Sequence, residues 1–166
     1  MIIYTKMNPR LKYVVRVQFP LRRELGRFRS KIEAVLADTR GWPVEFIRDD
    51  LDPDFSITLV EPGVVERACG LSNNLSCANM EDKWILINAR RWFEGSEESK
   101  LELDDYRTYV INHEVGHVLR LGHPTHPPRP GEPCPVMVQQ TLGTGHTLKN
   151  VWPLAEEAAR IQVWTN

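Results

Sequence analysis

The segment His113-Glu114-Val115-Gly116-His117 constrains this chain more than any other short stretch of its sequence. In an α-helix, residues four apart lie on the same face one turn apart, so both imidazoles can reach one metal ion. In an extended strand the same two residues would lie about 13 Å apart. The spacing therefore predicts a helix at this point, with a metal site on one of its faces.

A third ligand is needed, because a catalytic zinc site usually takes three protein ligands and leaves one position to water. His123 stands ten residues after His113 and follows Gly122, where a helix that has already ended can bring a third imidazole round. We predict that His113, His117 and His123 bind one Zn²⁺ ion. Glu114, beside the ligands, is the predicted general base that takes a proton from metal-activated water.

Hydrophobic patterning predicts one sheet and a first long helix, and the segment that carries His113 and His117 predicts a second. Strands are predicted at residues 12–19, 44–48, 55–60 and 83–88. Pro20 opens the first helix and Gly41 is its predicted C-cap. The second helix is capped by Asp104 or Asp105 and runs to about Leu121. The prolines that follow exclude regular structure until a last helical stretch at about residues 154–161.

Charge, apolar content and cysteine count narrow the range of partners, compartments and disulfides that this chain can have. The 166 residues carry a net charge of -1 without a run of basic residues, which argues against a nucleic-acid partner. No apolar stretch approaches the roughly 20 residues of a membrane-spanning helix. The N-terminus lacks the pattern of a secretory signal, so we expect a cytoplasmic protein unless a leader is missing. Among three cysteines, Cys69 and Cys77 are the plausible disulfide pair, with two free thiols the open alternative, and Cys134 remains unpaired.

Four blocks between about residues 69 and 153 carry a family resemblance: N-A-R-R-W, Y-R-T-Y-V-I-N-H-E-V-G-H, P-V-M-V-Q-Q-T-L-G and N-V-W-P. They resemble a bacterial domain family of uncharacterised function that is built on a metzincin-like core. The resemblance implies a single α+β domain with a mixed twisted β-sheet, a backing helix, an active-site helix and an irregular C-terminal segment. It also implies a Met-turn, a tight turn that carries Met137 beneath the zinc ligands.

The same resemblance implies a zinc endopeptidase acting on a peptide or protein substrate. Residues 1–122 and 123–166 would form its N-terminal and C-terminal subdomains. In metzincins an edge strand pairs with the extended substrate, and the strand at residues 83–88 is the expected rim of the cleft.

The chain departs from the family pattern at several positions. Arg120 stands where the usual pattern has glycine, so either Gly122 absorbs the turn or Arg120 adopts a strained backbone at a cost of about 1 kcal/mol or more. His126 is therefore the alternative third ligand. His126 and His146 also stand near positions where the family has cysteines, which indicates either a fold that no longer needs that disulfide, the favoured interpretation, or a histidine pair that shares a proton or a weakly bound metal.

Two other functions remain open. One is a zinc amidase acting on a non-protein substrate, since a metal, a water and a glutamate can hydrolyse other amides. The other is an inactive module that binds zinc or peptides, although Glu114 would then have no purpose beside the ligands.

Cys134 offers either an apolar thiol that packs under the loop or a thiolate that fills the open position of the metal.

Overall fold

The computed structural model of the protein describes residues 8–70 and 74–164. Its strands are β1 (Arg10–Val17), β2 (Glu45–Arg48), β3 (Phe55–Val60), β4 (Cys77–Asn79) and β5 (Trp84–Asn88). Its α-helices are α1 (Leu25–Ala37), α2 (Pro62–Cys69), α3 (Ala89–Glu94), α4 (Leu103–Val118) and α5 (Ala155–Ala158). Short 3-10 turns lie at Phe19–Glu24, Glu97–Ser99 and Gln140–Leu142.

The five strands form one sheet in the order β2-β1-β3-β5-β4. Strands β2, β1, β3 and β5 pair in parallel. Strand β4 pairs antiparallel with β5, with Ala78 opposite Ile85. The sheet is therefore mixed, as predicted, but mostly parallel. Parallel neighbours need crossover connections, and α1 and α2 lie in such connections. The fold is accordingly a mixed α/β domain and not the α+β arrangement expected from the sequence.

The main core lies between one face of the sheet and the helices α1 and α4. Alternate residues of a strand point to opposite faces, so Leu11 and Val15 of β1 meet this core together. Helix α1 contributes Phe28 and Ile32, and α4 contributes Ile111. The opposite face carries a smaller cluster around α2, in which Val65 packs against Val60 of β3 and Cys77 of β4.

Several helix ends in the structure differ from those predicted. Helix α1 ends at Ala37, because Asp38 takes an extended conformation and Gly41 only closes the turn that follows, so Gly41 is not its C-cap. Helix α4 starts after Glu102, and no side chain caps its first turn. The sequence patterns missed α2, α3 and β4 altogether. Among the described residues, no helix is long and apolar enough to span a membrane.

Cys69 and Cys77 form a disulfide that joins the end of α2 to the first residue of β4. Cys134 is the free cysteine and is fully buried. The disulfide thus ties a helix on one face of the sheet to the strand at its edge. The predicted division into subdomains at residue 122 stays a prediction.

Gly116 allows the side chains of Met137 and Trp42 to lie close to the backbone of α4. A Cβ built on Gly116 would overlap Sδ of Met137 and lie 2.9 Å from Cζ2 of Trp42. Both side chains are buried, and Trp42 also donates from Nε1 to the carbonyl of Asn112 at 3.0 Å. Any larger residue at Gly116 must therefore displace either the methionine or the tryptophan.

Gly116→Ala should lower the free energy of unfolding by about 1 to 3 kcal/mol, the usual cost of overpacking a filled core. Gly26→Ala is the matched control, because Gly26 also lies in a helix and nothing lies within 4 Å of its missing Cβ. The free energy of unfolding of that control should rise by about 0.5 to 1 kcal/mol, because alanine has a higher helix propensity than glycine. Urea unfolding of both variants measures the difference, and equal stabilities would contradict the packing argument.

Candidate metal centre

Three histidine side chains converge at the C-terminal end of α4. His113 and His117 lie one turn apart on the helix, and His123 follows the turn that ends it. The three Nε2 atoms are 3.2 Å (113 to 117), 3.1 Å (117 to 123) and 3.2 Å (113 to 123) apart. The structure thus brings together all three histidines of the sequence prediction into a group that could hold a metal ion.

Backbone carbonyls fix the tautomers of two of these rings. Nδ1 of His113 lies 2.8 Å from the carbonyl oxygen of Val136, and Nδ1 of His117 lies 2.8 Å from that of Leu121. A carbonyl can only accept, so each Nδ1 carries the proton and donates it. In the neutral rings each Nε2 therefore presents a lone pair toward the common point.

Converging lone pairs repel one another unless a cation lies between them. Imidazole nitrogens on one tetrahedral zinc ion are separated by about 3.3 Å, for Zn–N bonds of about 2.0 to 2.1 Å. The observed separations of 3.1 to 3.2 Å are close to that value. The donor set consequently fits one small divalent ion, and the carbonyl bonds to Nδ1 are the usual support of metal-binding histidines.

Loss of hydration favours the neutral form of the imidazoles, most strongly at the buried His113, although the side chain of His123 is exposed. Burial lowers the pKa of His113 to about 3, with a further lowering from the neighbouring His117. Burial also lowers the pKa of His117, and burial together with His117 lowers that of His123. The unprotonated form, which is the only form able to bind a metal, is thus favoured at neutral pH.

Glu114 projects into the same site from α4. Its side chain is 4% exposed, and its buried Oε2 atom has no hydrogen-bond partner. Burial raises the pKa of Glu114 to about 8. A buried carboxyl group without a partner costs stability, so its presence at this position calls for an explanation outside folding.

A cleft of about 230 Å³ opens onto the histidines and Glu114. Its other lining residues are Leu75, Ser76, Cys77, Ala78, Met80, Tyr109, Val110, Gln139 and Thr141. They come from β4 and the residues on either side of it, from α4, and from the segment after Met137. The rim strand is therefore β4, and not the strand predicted at residues 83–88, because β5 lies inside the sheet between β3 and β4.

The segment around Met137 is held by two side chains, those of Glu157 and Tyr109. Glu157, which is 1% exposed, accepts from the backbone N–H groups of Val136 at 3.1 Å and Met137 at 2.8 Å. Tyr109 donates to the carbonyl of Val138 and accepts from the N–H of Gln140. An acidic residue at the start of a short helix gives no sequence signal that it reaches twenty residues back.

Arg120 makes the turn that carries the chain from α4 to His123. Its φ is 67°, in the left-handed region, whereas φ of Gly122 is not positive. The N–H of Leu121 donates to the carbonyl of Gly116, and the N–H of Arg120 to that of His117. These two bonds form a Schellman motif, which normally has glycine at the left-handed position. Of the two predicted ways of making the turn, the structure has the strained left-handed backbone at Arg120 and not a turn at Gly122.

The remaining predicted candidates lie apart from the histidine cluster. His126 is exposed, and its Nδ1 lies 3.0 Å from the hydroxyl of the neighbouring Thr125. His146 is exposed as well. Cys134 is buried, which raises the pKa of its thiol. Within residues 8–70 and 74–164, only His113, His117 and His123 form a group able to hold a metal.

Arg120→Gly should raise the free energy of unfolding by about 0.5 to 1 kcal/mol, because glycine relieves the left-handed strain but gains entropy in the unfolded chain. Arg120→Ala removes the same side chain and keeps the Cβ, so it should remain close to the parent protein. Thermal and urea unfolding report both changes. If the alanine variant gained as much as the glycine variant, the arginine side chain and not the backbone would be the cause.

Comparison with known proteins agrees with this architecture. The fold is similar to the crystal structure of archaemetzincin from Methanopyrus kandleri, with a TM-score of 0.51, 15% sequence identity, and 95% of this chain and 96% of that chain covered. At this identity the likeness concerns the fold alone, which is metzincin-like. No curated protein sequence matches the chain. The family described as "Protein of unknown function (DUF3152)" matches residues 4–161, and this chain therefore belongs to that family.

Proposed function

We propose that this protein is a zinc-dependent endopeptidase, with His113, His117 and His123 as metal ligands and Glu114 as general base. The observation that carries the proposal is the convergence of three Nε2 atoms within 3.1 to 3.2 Å of one another, beside Glu114, whose buried Oε2 atom has no hydrogen-bond partner. Both features cost stability in the absence of a ligand, and both serve hydrolysis.

Zinc is the proposed ion, because three imidazoles and no thiolate or carboxylate ligand form a donor set common to catalytic zinc sites. When bound, zinc would supply Lewis acidity, which polarises a carbonyl and lowers the pKa of water. His113 and His117 hold their Nε2 atoms toward the ion through the bonds that their Nδ1 atoms donate. Met137 packs under α4 at Gly116, which suits the supporting role of a Met-turn.

Glu114 would move the proton of the reaction. Its free Oε2 can accept a proton from the attacking water and deliver it to the leaving amine. Burial raises the pKa of Glu114 to about 8, and a raised pKa makes its carboxylate a stronger base than an exposed one. An inactive binding module would gain nothing from this carboxylate and would carry its desolvation cost.

The cleft favours a peptide over a small amide. The edge strand β4 borders it with Cys77 and Ala78, and within the described part of the chain it pairs with the sheet only through β5. An extended peptide can therefore add along β4 by main-chain hydrogen bonds. Apart from the histidines and Glu114, every lining residue is uncharged. We accordingly expect an uncharged, mainly apolar substrate side chain beside the scissile bond.

Metal content tests the ligand set. The purified native chain should bind about one zinc ion, as measured by mass spectrometry of the metal after dialysis. His113→Ala, His117→Ala and His123→Ala should each lose most of it, since two imidazoles hold zinc poorly. His126→Ala is the matched control and should keep it. Zinc that survives His123→Ala but not His126→Ala would refute this ligand set.

Glu114→Gln separates catalysis from binding. The variant should keep its zinc and lose roughly 10² to 10⁴-fold in peptide hydrolysis, the usual contribution of a general acid–base. Glu156→Gln, at an exposed glutamate, should hydrolyse peptides at the parent rate. A quenched-fluorescence peptide library provides the measurement, with chelation and zinc restoration as a check. Turnover of small amides alone would favour the amidase, and no turnover by the zinc-loaded parent would favour the binding module.

A further inference from the structure

We propose that Glu157 is a positioning residue that strengthens His113 as a metal ligand through a single intervening peptide group. The inference rests on the proposed metal site and adds a residue from the far end of the chain to it. Glu157 does not reach the histidines itself. Its effect passes through the peptide group between Val136 and Met137.

The two ends of that peptide group point in opposite directions. Its N–H, on Met137, donates to Oε1 of Glu157 at 2.8 Å. Its carbonyl, on Val136, accepts from Nδ1 of His113 at 2.8 Å. The order of groups is therefore carboxylate, peptide N–H, peptide C=O, imidazole Nδ1–H, with Nε2 of His113 directed at the proposed metal.

Hydrogen bonds in such a chain polarise one another. A carboxylate that accepts from a peptide N–H draws electron density toward the carbonyl end, which makes that carbonyl a stronger acceptor. A stronger acceptor at Nδ1 makes the imidazole more basic at Nε2, as carboxylates in direct contact with metal-bound histidines do. Here the peptide group takes the place of that direct contact.

The carboxylate is well placed for this effect. It is 1% exposed, so water does not screen it, and it also accepts from the N–H groups of Val136 at 3.1 Å and Leu154 at 2.9 Å. These three donors hold both oxygens in a fixed orientation. Glu157 thereby fixes the position of the Val136 carbonyl as well as its polarity.

His117 provides an internal comparison. Its Nδ1 also lies 2.8 Å from a backbone carbonyl, that of Leu121. The next N–H along that peptide belongs to Gly122, and among the hydrogen bonds of the described residues none joins it to a carboxylate. The two histidines thus have the same bond length to the carbonyl, and only His113 has a carboxylate behind it.

Nuclear magnetic resonance of the metal-free parent tests the polarisation directly. The Nδ1 proton of His113 should resonate further downfield than that of His117, since the stronger acceptor deshields the proton it receives. Glu157→Gln should move the His113 proton upfield and leave the His117 proton in place. Equal shifts for the two histidines in the parent, or an unmoved His113 proton in the variant, would overturn the proposal. The parent measurement stands even if the variant fails to fold.

Metal affinity tests the consequence. Glu157→Gln should weaken zinc binding by about 10-fold or more in competition with a chromophoric chelator, and Glu157→Asp should restore part of that loss because it keeps the charge. Asn150→Ala is the control for loop stability, since Asn150 holds the carbonyls of Cys134 and Trp152 without touching the Val136–Met137 peptide. That control should stay within about threefold of the parent at a comparable loss of stability.

Equal weakening in Glu157→Gln and Asn150→Ala would mean that Glu157 only stabilises the loop, and the proposal would fall. A parent that binds no zinc would refute the proposed function instead. In that case the proton shifts of His113 and His117 still decide whether the polarisation exists.

Discussion

The structure depends on one polar helix, α4, that is buried on two sides. Helix α4 packs against the sheet and α1 on one side and against the C-terminal segment on the other, so most of its 16 residues are buried, including Asn112, His113 and Glu114. Buried polar groups must find hydrogen-bond partners or lose free energy. The architecture around α4 is largely the set of partners that meets this demand.

Most of those partners are backbone carbonyls of the irregular C-terminal segment. Asn112 donates to the carbonyl of Val151, His113 to that of Val136, and Tyr109 to that of Val138. In a helix or a sheet these carbonyls would already be paired with backbone N–H groups. The prolines that prevent regular structure there thus leave acceptors available for the side chains of α4. The irregular backbone thus supplies hydrogen-bond acceptors for the buried polar side chains of α4.

The parts of the site that follow from local geometry could be predicted from the sequence. Helical spacing alone brings His113 and His117 together, and the position of His123 follows from a helix that ends shortly after them. The bounds of β3 were also predicted correctly, because its alternating pattern is local. Short elements such as β4 gave no such pattern, since a strand of three residues has no measurable period.

Long-range contacts account for what the sequence did not reveal. Glu157 reaches Met137 only because the C-terminal segment folds back under α4. The pattern of α4 itself is not amphipathic, because the helix is covered on both sides, and its prediction rested on the histidine spacing instead. Arg120 was recognised as a departure from the usual glycine, but only the backbone angle decides between the two ways of making the turn.

The shortness of β4 has a consequence for self-association. A long open strand edge is a template on which another copy of a chain can add its own strand, and proteins usually shield such edges. β4 spans only Cys77–Asn79, so the outer side of this edge is only three residues long. That length suffices to align a short stretch of extended chain, but it is too short to hold a second copy of the sheet. The risk of edge-to-edge aggregation at β4 is therefore lower than a longer strand would bring.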